Sequence, residues 1–255
     1  MTRVVLALAR RALVANLRKP QYLAPLLIFP TLFLAVNVGG LTETTNLDGF
    51  PPVRGFLDFQ LAGALTQSLL LGGVSTGIAS ALEIEGGFFD RLVASPIPRV
   101  AIVLGRLVAA GAVAALQVLF FLALGLLFGA EIAGGVPGVL VVLGIGVVAG
   151  VGFGAIGQAI ALRARNASTV QGIFPLVLVV LFVSSAFFPR ELLSAPADTI
   201  ARYNPLSYLA DGLREPIITG VSAQTVLEGL AAAVAITVGA TALSVLALRG
   251  RLRDA

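Results

Sequence analysis

Long uncharged apolar runs recur along the chain, and short segments between them carry most of its charge. A helix needs about 20 mostly apolar residues to cross a bilayer, because each residue adds only about 1.5 Å and every backbone group must be satisfied internally. Six runs meet this requirement. They predict membrane-spanning helices over approximately residues 21–41, 59–81, 103–129, 136–162, 168–188 and 223–248. We therefore expect an all-α membrane protein that forms one transmembrane domain over residues 1–255, without room for an additional soluble domain.

The basic residues give the predicted spans an orientation. If both termini are cytoplasmic, 13 of the 17 basic residues lie in inner segments, and only Arg54, Arg190, Arg202 and Arg214 lie in outer ones. Lys and Arg concentrate in cytoplasmic loops, so this count predicts a multi-pass protein of the inner (plasma) membrane with cytoplasmic termini. The first apolar run is too long for a signal-peptide core and has no clean cleavage site after it, so we interpret it as a span.

Residues 1–19, before the first predicted span, have two contrasting faces. One arc at helical spacing carries four arginines, namely Arg3, Arg10, Arg11 and Arg18. The adjoining arc is apolar and contains Leu6, Ala9, Leu13 and Leu17. This pattern predicts an amphipathic helix that lies on the inner membrane surface. The alternative is an ordinary basic flank of the first span.

The composition excludes several kinds of chemistry. Cysteine and histidine are absent, which removes thiolate nucleophiles, imidazole bases and the commonest zinc ligands. The single lysine, Lys19, is followed by proline, so the chain has no P-loop to hold nucleotide phosphates. We expect no catalytic, cofactor-binding or metal-binding residues. No basic block with interleaved aromatic residues is present either, so we expect no nucleic-acid partner.

Small residues occur at two notable places within the predicted spans. Residues 73–77 match the G-x-S-x-G pattern of a nucleophilic serine, here Ser75, but no histidine or intramembrane lysine is available to activate it. An intramembrane serine hydrolase is therefore a minor alternative to helix packing. Gly146, Gly150 and Gly154 have the spacing of close helix contacts, either within the chain, which we favour, or between two copies. No span centre carries a charged residue, which argues against a secondary carrier.

Residues 83–99 form a cytoplasmic segment between the second and third predicted spans. A short helix after two glycines would place Phe88 and Phe89 on adjacent faces beside charged residues, and two prolines would end it. Such an aromatic knob, held outside the bilayer, would dock a partner protein. The alternative is an interfacial loop whose aromatic side chains touch lipid headgroups.

Residues 189–220 join the fifth and sixth predicted spans on the outer side. This segment is too apolar for a free loop, yet prolines and charges interrupt it too often for a span. It predicts a re-entrant hairpin of two short helices that dip into the outer leaflet and are separated at Asn204-Pro205.

At these two segments the chain resembles the permease subunits of ABC type-2 exporters, particularly drug efflux permeases of the daunorubicin-resistance type. The glutamate- and glycine-containing segment that ends with the run from Ser95 to Arg99 resembles the coupling segment of that family. The run from Tyr203 to Tyr208, followed by Asp211 to Arg214, resembles its outer Asn-Pro segment. Gly87 stands where many relatives carry a small hydroxyl residue, a minor departure.

The resemblance implies residue roles at both segments. A cytoplasmic coupling helix centred on residues 88–93 would receive the force that the ATPase subunits exert when they close on nucleotide. The implied coupling residues are Glu83, Glu85, Gly86, Phe88, Phe89, Asp90, Arg91, Leu92, Val93, Ser95, Pro96 and Arg99. The implied outer motif consists of Asn204, Pro205, Tyr208 and Arg214.

The resemblance also implies partners and a function. The chain would pair with an identical or related permease and with two cytoplasmic ATP-binding-cassette subunits, which would bind ATP and Mg²⁺, so it would not itself be an enzyme. It would export an amphipathic drug, an antibiotic or a lipid-like molecule. The alternative substrate is a polysaccharide or teichoic acid, but the chain has only three tyrosines and no tryptophan to build an aromatic row for sugars.

Overall fold

The structure is a computed structural model that describes residues 1–253, so the last two residues of the predicted domain 1–255 lie outside it. The described residues form eleven α-helices and no strand. The helices are α1 (Thr2–Leu17), α2 (Pro20–Leu41), α3 (Phe56–Glu85), α4 (Phe88–Ala94), α5 (Arg99–Leu127), α6 (Gly135–Ala164), α7 (Ala167–Gly172), α8 (Phe174–Phe182), α9 (Ala197–Tyr203), α10 (Pro205–Ile218) and α11 (Ala223–Arg253). Two short 3₁₀ turns, Thr42–Asn46 and Arg190–Leu192, complete the helical elements.

Five of these helices, α2, α3, α5, α6 and α11, are long and apolar enough to cross a membrane. They coincide with five of the six predicted spans and extend beyond several of them. The helix α3, for example, covers 30 residues where the hydropathy pattern predicts a span over 59–81. The all-helical membrane architecture is therefore confirmed.

The fifth predicted span, over residues 168–188, has a different form. The chain there makes two short helices, α7 and α8, which meet at Ile173, and α8 ends at Phe182. Pro175 stands in the first turn of α8, where its missing N–H cannot extend the α7 hydrogen-bond ladder. Neither helix reaches the length that a bilayer requires, so the count of six spans stays a prediction.

Close glycine contacts fix α6 against its neighbours. A Cβ added at Gly157 would lie 2.0 Å from the backbone oxygen of Gly73 in α3, so the two backbones touch directly. Gly146, Gly150 and Gly154 face α5, where their nearest neighbours are Val118, Ala114 and Ala110. These glycines lie inside the bundle of a single chain.

Both ends of the described chain meet at the same end of the bundle. Arg11 in α1 lies 3.0 Å from Glu83 at the end of α3, and Arg251 in α11 lies 2.8 Å from Asp90 in α4. We call this the terminal end. At the opposite end, Arg214 in α10 packs on Phe59 near the start of α3.

Candidate functional site

The turn between α3 and α4 depends on two glycines. Gly86 ends α3, and Gly87 has φ of +68°, a left-handed conformation in which glycine carries no steric penalty. This geometry lets α4 fold back against the bundle. The helix ends at Ala94, and the hydroxyl of the next residue, Ser95, donates to the Leu92 carbonyl at 2.6 Å. Pro98 then precedes the first residue of α5.

The side of α4 that faces the bundle carries Phe89. This side chain is only 2% exposed and packs within a cluster contributed by α3, α5, α6 and α11, with Leu92 and Val93 at its margin. The buried members of this cluster are Ile84, Phe89, Ile102, Val103, Leu107, Ala155, Leu162, Ala240, Ala247 and Leu248. The expectation that Phe89 forms part of an exposed aromatic knob is therefore wrong, because its ring is buried in this cluster.

The outward side of α4 and the turn after it present mainly polar and proline side chains. The exposed residues there are Asp90, Arg91, Ala94, Pro96, Pro98 and Arg99. Phe88 is half-buried, because the Arg11 guanidinium covers its ring at 3.5 Å from the ring centroid. A partner protein at this end would therefore meet charged and proline side chains rather than exposed phenylalanines.

Arg251 links the last helix to α4 by two contacts. Its guanidinium donates to the Asp90 carboxylate at 2.8 Å and lies 4.7 Å from the centroid of the Phe89 ring. The Arg251 side chain is 11% exposed, while that of Asp90 is 66% exposed. We call these three residues the Arg251 latch. The sequence offers no signal for it, since Arg251 stands there only as one basic residue of a cytoplasmic tail.

Glu83 joins three helices at the terminal end. Its carboxylate accepts hydrogen bonds from Arg11 of α1 and from Arg106 of α5, and Arg106 also donates to the Ser80 hydroxyl at 2.7 Å. Arg106 is buried, so its pairing with Glu83 offsets the cost of removing its charge from water. The signal that could have singled out Arg106 is that it is the only charged residue inside the predicted span over 103–129.

Glu85 connects the end of α3 to the start of α7. Its carboxylate accepts a hydrogen bond from the backbone N–H of Ala167 at 2.9 Å, beside the Asn166 side chain that caps the same helix. The donors at the first turn of a helix favour a negative charge. Movement of the α3–α4 turn would therefore reach α7 directly.

The predicted outer motif lies at the opposite end. Asn204 separates α9 from α10, accepts from the Leu206 N–H at 2.9 Å and donates to the Val180 carbonyl at 2.8 Å. Pro205 opens α10, where a proline needs no donor. The Tyr208 hydroxyl donates to the Arg202 carbonyl at 3.0 Å.

Arg214 holds this end together through a buried network. It is 5% exposed and donates to the Asp211 carboxylate at 2.7 Å and to the carbonyls of Ser185 and Ala186 at 2.9 and 2.7 Å. Burial raises the pKa of the Asp211 carboxyl, and the guanidiniums of Arg214 and Arg190 oppose that rise. The network fixes the chain that follows α8 against α10.

Two cavities flank the broken α7–α8 segment. One, of 360 Å³, has only apolar lining and includes Leu70, Phe153, Leu176 and Leu206. The other, of 730 Å³, lies between α2, α3 and the α7–α8 segment, and its lining includes Ser75. No cluster of three His, Cys, Asp or Glu side chains suited to a metal ion occurs within residues 1–253.

The sequence of this chain is similar to one protein family and to two named permeases. The family described as ABC-2 type transporter matches residues 3–218. The daunorubicin resistance ABC transporter permease protein DrrB1 of Streptomyces coeruleorubidus is 29% identical over 212 residues, which cover 80% of this chain and 71% of that protein. The putative transport permease ycf38 of Porphyra purpurea is 27% identical over 213 residues, which cover 82% of this chain and 72% of that protein.

Proposed function

This chain belongs to the ABC-2 type transporter family, and from that premise we propose that it is the transmembrane permease subunit of an ATP-driven exporter. The observation that carries the proposal is the position of α4. This short helix contacts α1 through Phe88 and α11 through the Arg251 latch, and it follows α3 directly. A force applied to α4 would reach both ends of the chain and two long helices at once.

The energy comes from a partner in this proposal. The sequence contains no P-loop, since its one lysine is followed by proline. Two copies of a cytoplasmic ATP-binding-cassette subunit would bind ATP and Mg²⁺ and would dock on the outward side of α4. The exposed residues Arg91 and Arg99 are the side chains that we expect to contact that subunit.

The membrane topology has six crossings in this proposal, with both termini in the cytoplasm. The α7–α8 segment would be the fifth of these crossings, because α7 begins beside Glu85 at the terminal end and the loop after α8 packs against Gly63 in the first third of α3. Residues 189–220 would form the re-entrant outer hairpin. Two permeases, identical or related, would pair to enclose the transport pathway.

The substrate is an amphipathic drug, an antibiotic or a lipid-like molecule. The support for this choice is the apolar 360 Å³ cavity beside α8, together with the daunorubicin resistance for which one relative is named. A polysaccharide or teichoic-acid exporter would instead need rows of aromatic residues or hydrogen-bonding groups for sugars, and this lining provides neither.

Copurification tests the docking step. An Arg91→Glu, Arg99→Glu double variant should lose most of the ATP-binding-cassette subunit that copurifies with the wild-type chain, because the charge reversal opposes docking. An Arg163→Glu, Arg249→Glu double variant, which makes the same charge change at exposed residues of α6 and α11, is the matched control. Equal retention in the Arg91→Glu, Arg99→Glu variant and in the wild type would contradict docking on α4. Phe89→Asp is unsuitable here, because it would disrupt the buried cluster.

Reconstitution tests the transport function. Liposomes that contain the chain and its ATPase should accumulate daunorubicin on addition of ATP, whereas liposomes with the ATPase alone should not. Stimulation of the ATPase by a polysaccharide precursor and not by the drug would support the alternative substrate. Because the natural chain has no cysteine, single variants such as Arg91→Cys and Asp48→Cys can report the orientation by their labelling from each side of intact cells.

A further inference from the structure

The amino-terminal helix carries more arginines than the chain supplies with partners. Arg11 is engaged, since it pairs with Glu83 and covers Phe88. The side chains of Arg3, Arg10 and Arg18 are exposed, and no carboxylate or hydrogen-bond acceptor within residues 1–253 engages them. The positive charge of these side chains is not compensated within the chain, which favours a bound anion.

Two of these arginines and Arg11 line one open, shallow cleft, whose lining residues all lie along the same face of α1. The cleft has a volume of 420 Å³, and three of its six lining residues are arginines while none is acidic. We call it the α1 cleft, and its lining consists of Ala7, Arg10, Arg11, Val14, Ala15 and Arg18. Its chemistry fits an anionic group with several oxygen acceptors, because each guanidinium presents a planar fork of N–H donors.

The surroundings of α1 indicate whether that anion is a lipid headgroup or a soluble anion. One side of the helix packs on α5, where the Leu8 side chain occupies the space that a Cβ at Gly105 would need, and Ala9 is buried. On the remaining surface Leu6 and Leu17 are 56% and 46% exposed. Exposed leucines interleaved with arginines are typical of a helix that lies in the headgroup region of a bilayer. A soluble anion would leave these leucines in water.

We propose that the α1 cleft binds the phosphate headgroup of an anionic phospholipid from the leaflet at the terminal end. The Glu83 carboxylate already neutralises part of the charge of Arg11. Arg10 and Arg18 therefore supply most of the positive charge that attracts the phosphate. A guanidinium has five N–H donors, so Arg11 can hold the Glu83 carboxylate with one nitrogen and the lipid phosphate with another.

Lipid binding at this position is linked to α4 through Arg11. An occupied cleft holds Arg11 in place and therefore favours the contact between α1 and Phe88. This regulatory consequence rests on the proposed coupling function of α4, whereas the binding of the headgroup does not.

Lipid titration of the purified full chain, without any ATPase, tests the binding itself. The chain in phosphatidylcholine nanodiscs receives increasing phosphatidylglycerol, and native mass spectrometry counts the anionic lipids that it retains. An Arg10→Gln, Arg18→Gln double variant should bind phosphatidylglycerol about 25-fold more weakly, since each arginine near a membrane surface contributes about fivefold. Lysines at both positions should restore most of the affinity, because they keep the charge.

An Arg163→Gln, Arg249→Gln double variant is the matched control, because it removes the same charge from exposed positions at the same end. It should retain the wild-type affinity. Equal losses in the two double variants would show a bulk charge effect and overturn the proposal. It would also be overturned if the wild type showed no preference for phosphatidylglycerol, or if inorganic phosphate displaced the lipid. If the Arg10→Gln, Arg18→Gln variant bound lipid as the wild type does but no longer copurified with the ATPase, the cleft would be assigned to a protein partner instead.

Discussion

Replacing Arg251 by glutamine tests whether the last helix moves together with α4. The substitution removes the charged contact with Asp90 at 2.8 Å and the cation that lies 4.7 Å from the Phe89 ring centroid. Since the Asp90 side chain is 66% exposed, solvent screens the ion pair, and we assign it about 0.5 kcal/mol. The contact with the ring adds about 1 kcal/mol, because Arg251 is itself nearly buried.

The total of about 1.5 kcal/mol corresponds to roughly a tenfold change in the equilibrium between attached and detached α4. In reconstituted transporter, Arg251→Gln should leave basal ATP hydrolysis intact and lower the amount of substrate moved per ATP several-fold. Asp90→Asn loses only the ion pair and should lower this ratio of substrate moved to ATP hydrolysed by about twofold. The exposed residue Arg249 is the matched control, and Arg249→Gln should leave the ratio unchanged.

A double-mutant cycle separates the Arg251 latch from unrelated damage. If the two side chains act through their contact, the Arg251→Gln, Asp90→Asn double variant should be no worse than Arg251→Gln alone. Additive losses would refute the assignment of the effect to this pair. An equal loss in Arg249→Gln would refute it as well, since the cause would then be the positive charge of the tail.

Three further substitutions test the packing of the fold, each by the thermal midpoint of the purified chain in detergent. Arg214→Gln breaks a buried charge pair and should cost about 3–5 kcal/mol, whereas Arg54→Gln at an exposed pair should cost under about 1 kcal/mol; similar midpoints would contradict a structural role. Gly157→Ala places a Cβ 2.0 Å from a backbone oxygen of α3 and should cost about 1–3 kcal/mol, whereas Gly144→Ala meets open space and should be neutral or stabilising. Asn204→Ala should cost about 1–2 kcal/mol by removing the cap of α10, and Asn204→Ser, which keeps a cap oxygen, should recover part of it; no recovery would exclude capping as the reason.

The sequence predicts the long helices well because their cause is local. Five apolar runs give five long helices, and the break at Asn204-Pro205 falls where α9 ends and α10 begins. Gly87 likewise marks the α3–α4 turn, because its backbone is left-handed and only a few residue types tolerate that conformation. The hydropathy pattern does not predict the interruption between α7 and α8, although Pro175 supplies a local signal for it.

The contacts of the candidate site depend on tertiary packing and could not be read from the sequence. Helical spacing places Phe88 and Phe89 on adjacent faces, but only the folded bundle decides that Phe89 is the buried one. Arg106 and Arg251 both count as inner basic residues in the topology argument. Nothing in their spacing reveals that one pairs with Glu83 and the other with α4.

The Arg251 latch also sets an order of events during biosynthesis. Asp90 and Arg251 are separated by 161 positions along the chain, and a ribosome that adds about 5–20 residues per second needs roughly 8–30 s to cover that distance. During this interval α4 has already been synthesised while its cover from the last helix does not yet exist. A chain truncated before α11 would therefore keep an unfinished form of the proposed coupling surface, with Phe89 less covered than in the folded protein. An ATPase that recognises only the finished surface would thereby select fully synthesised permeases for assembly.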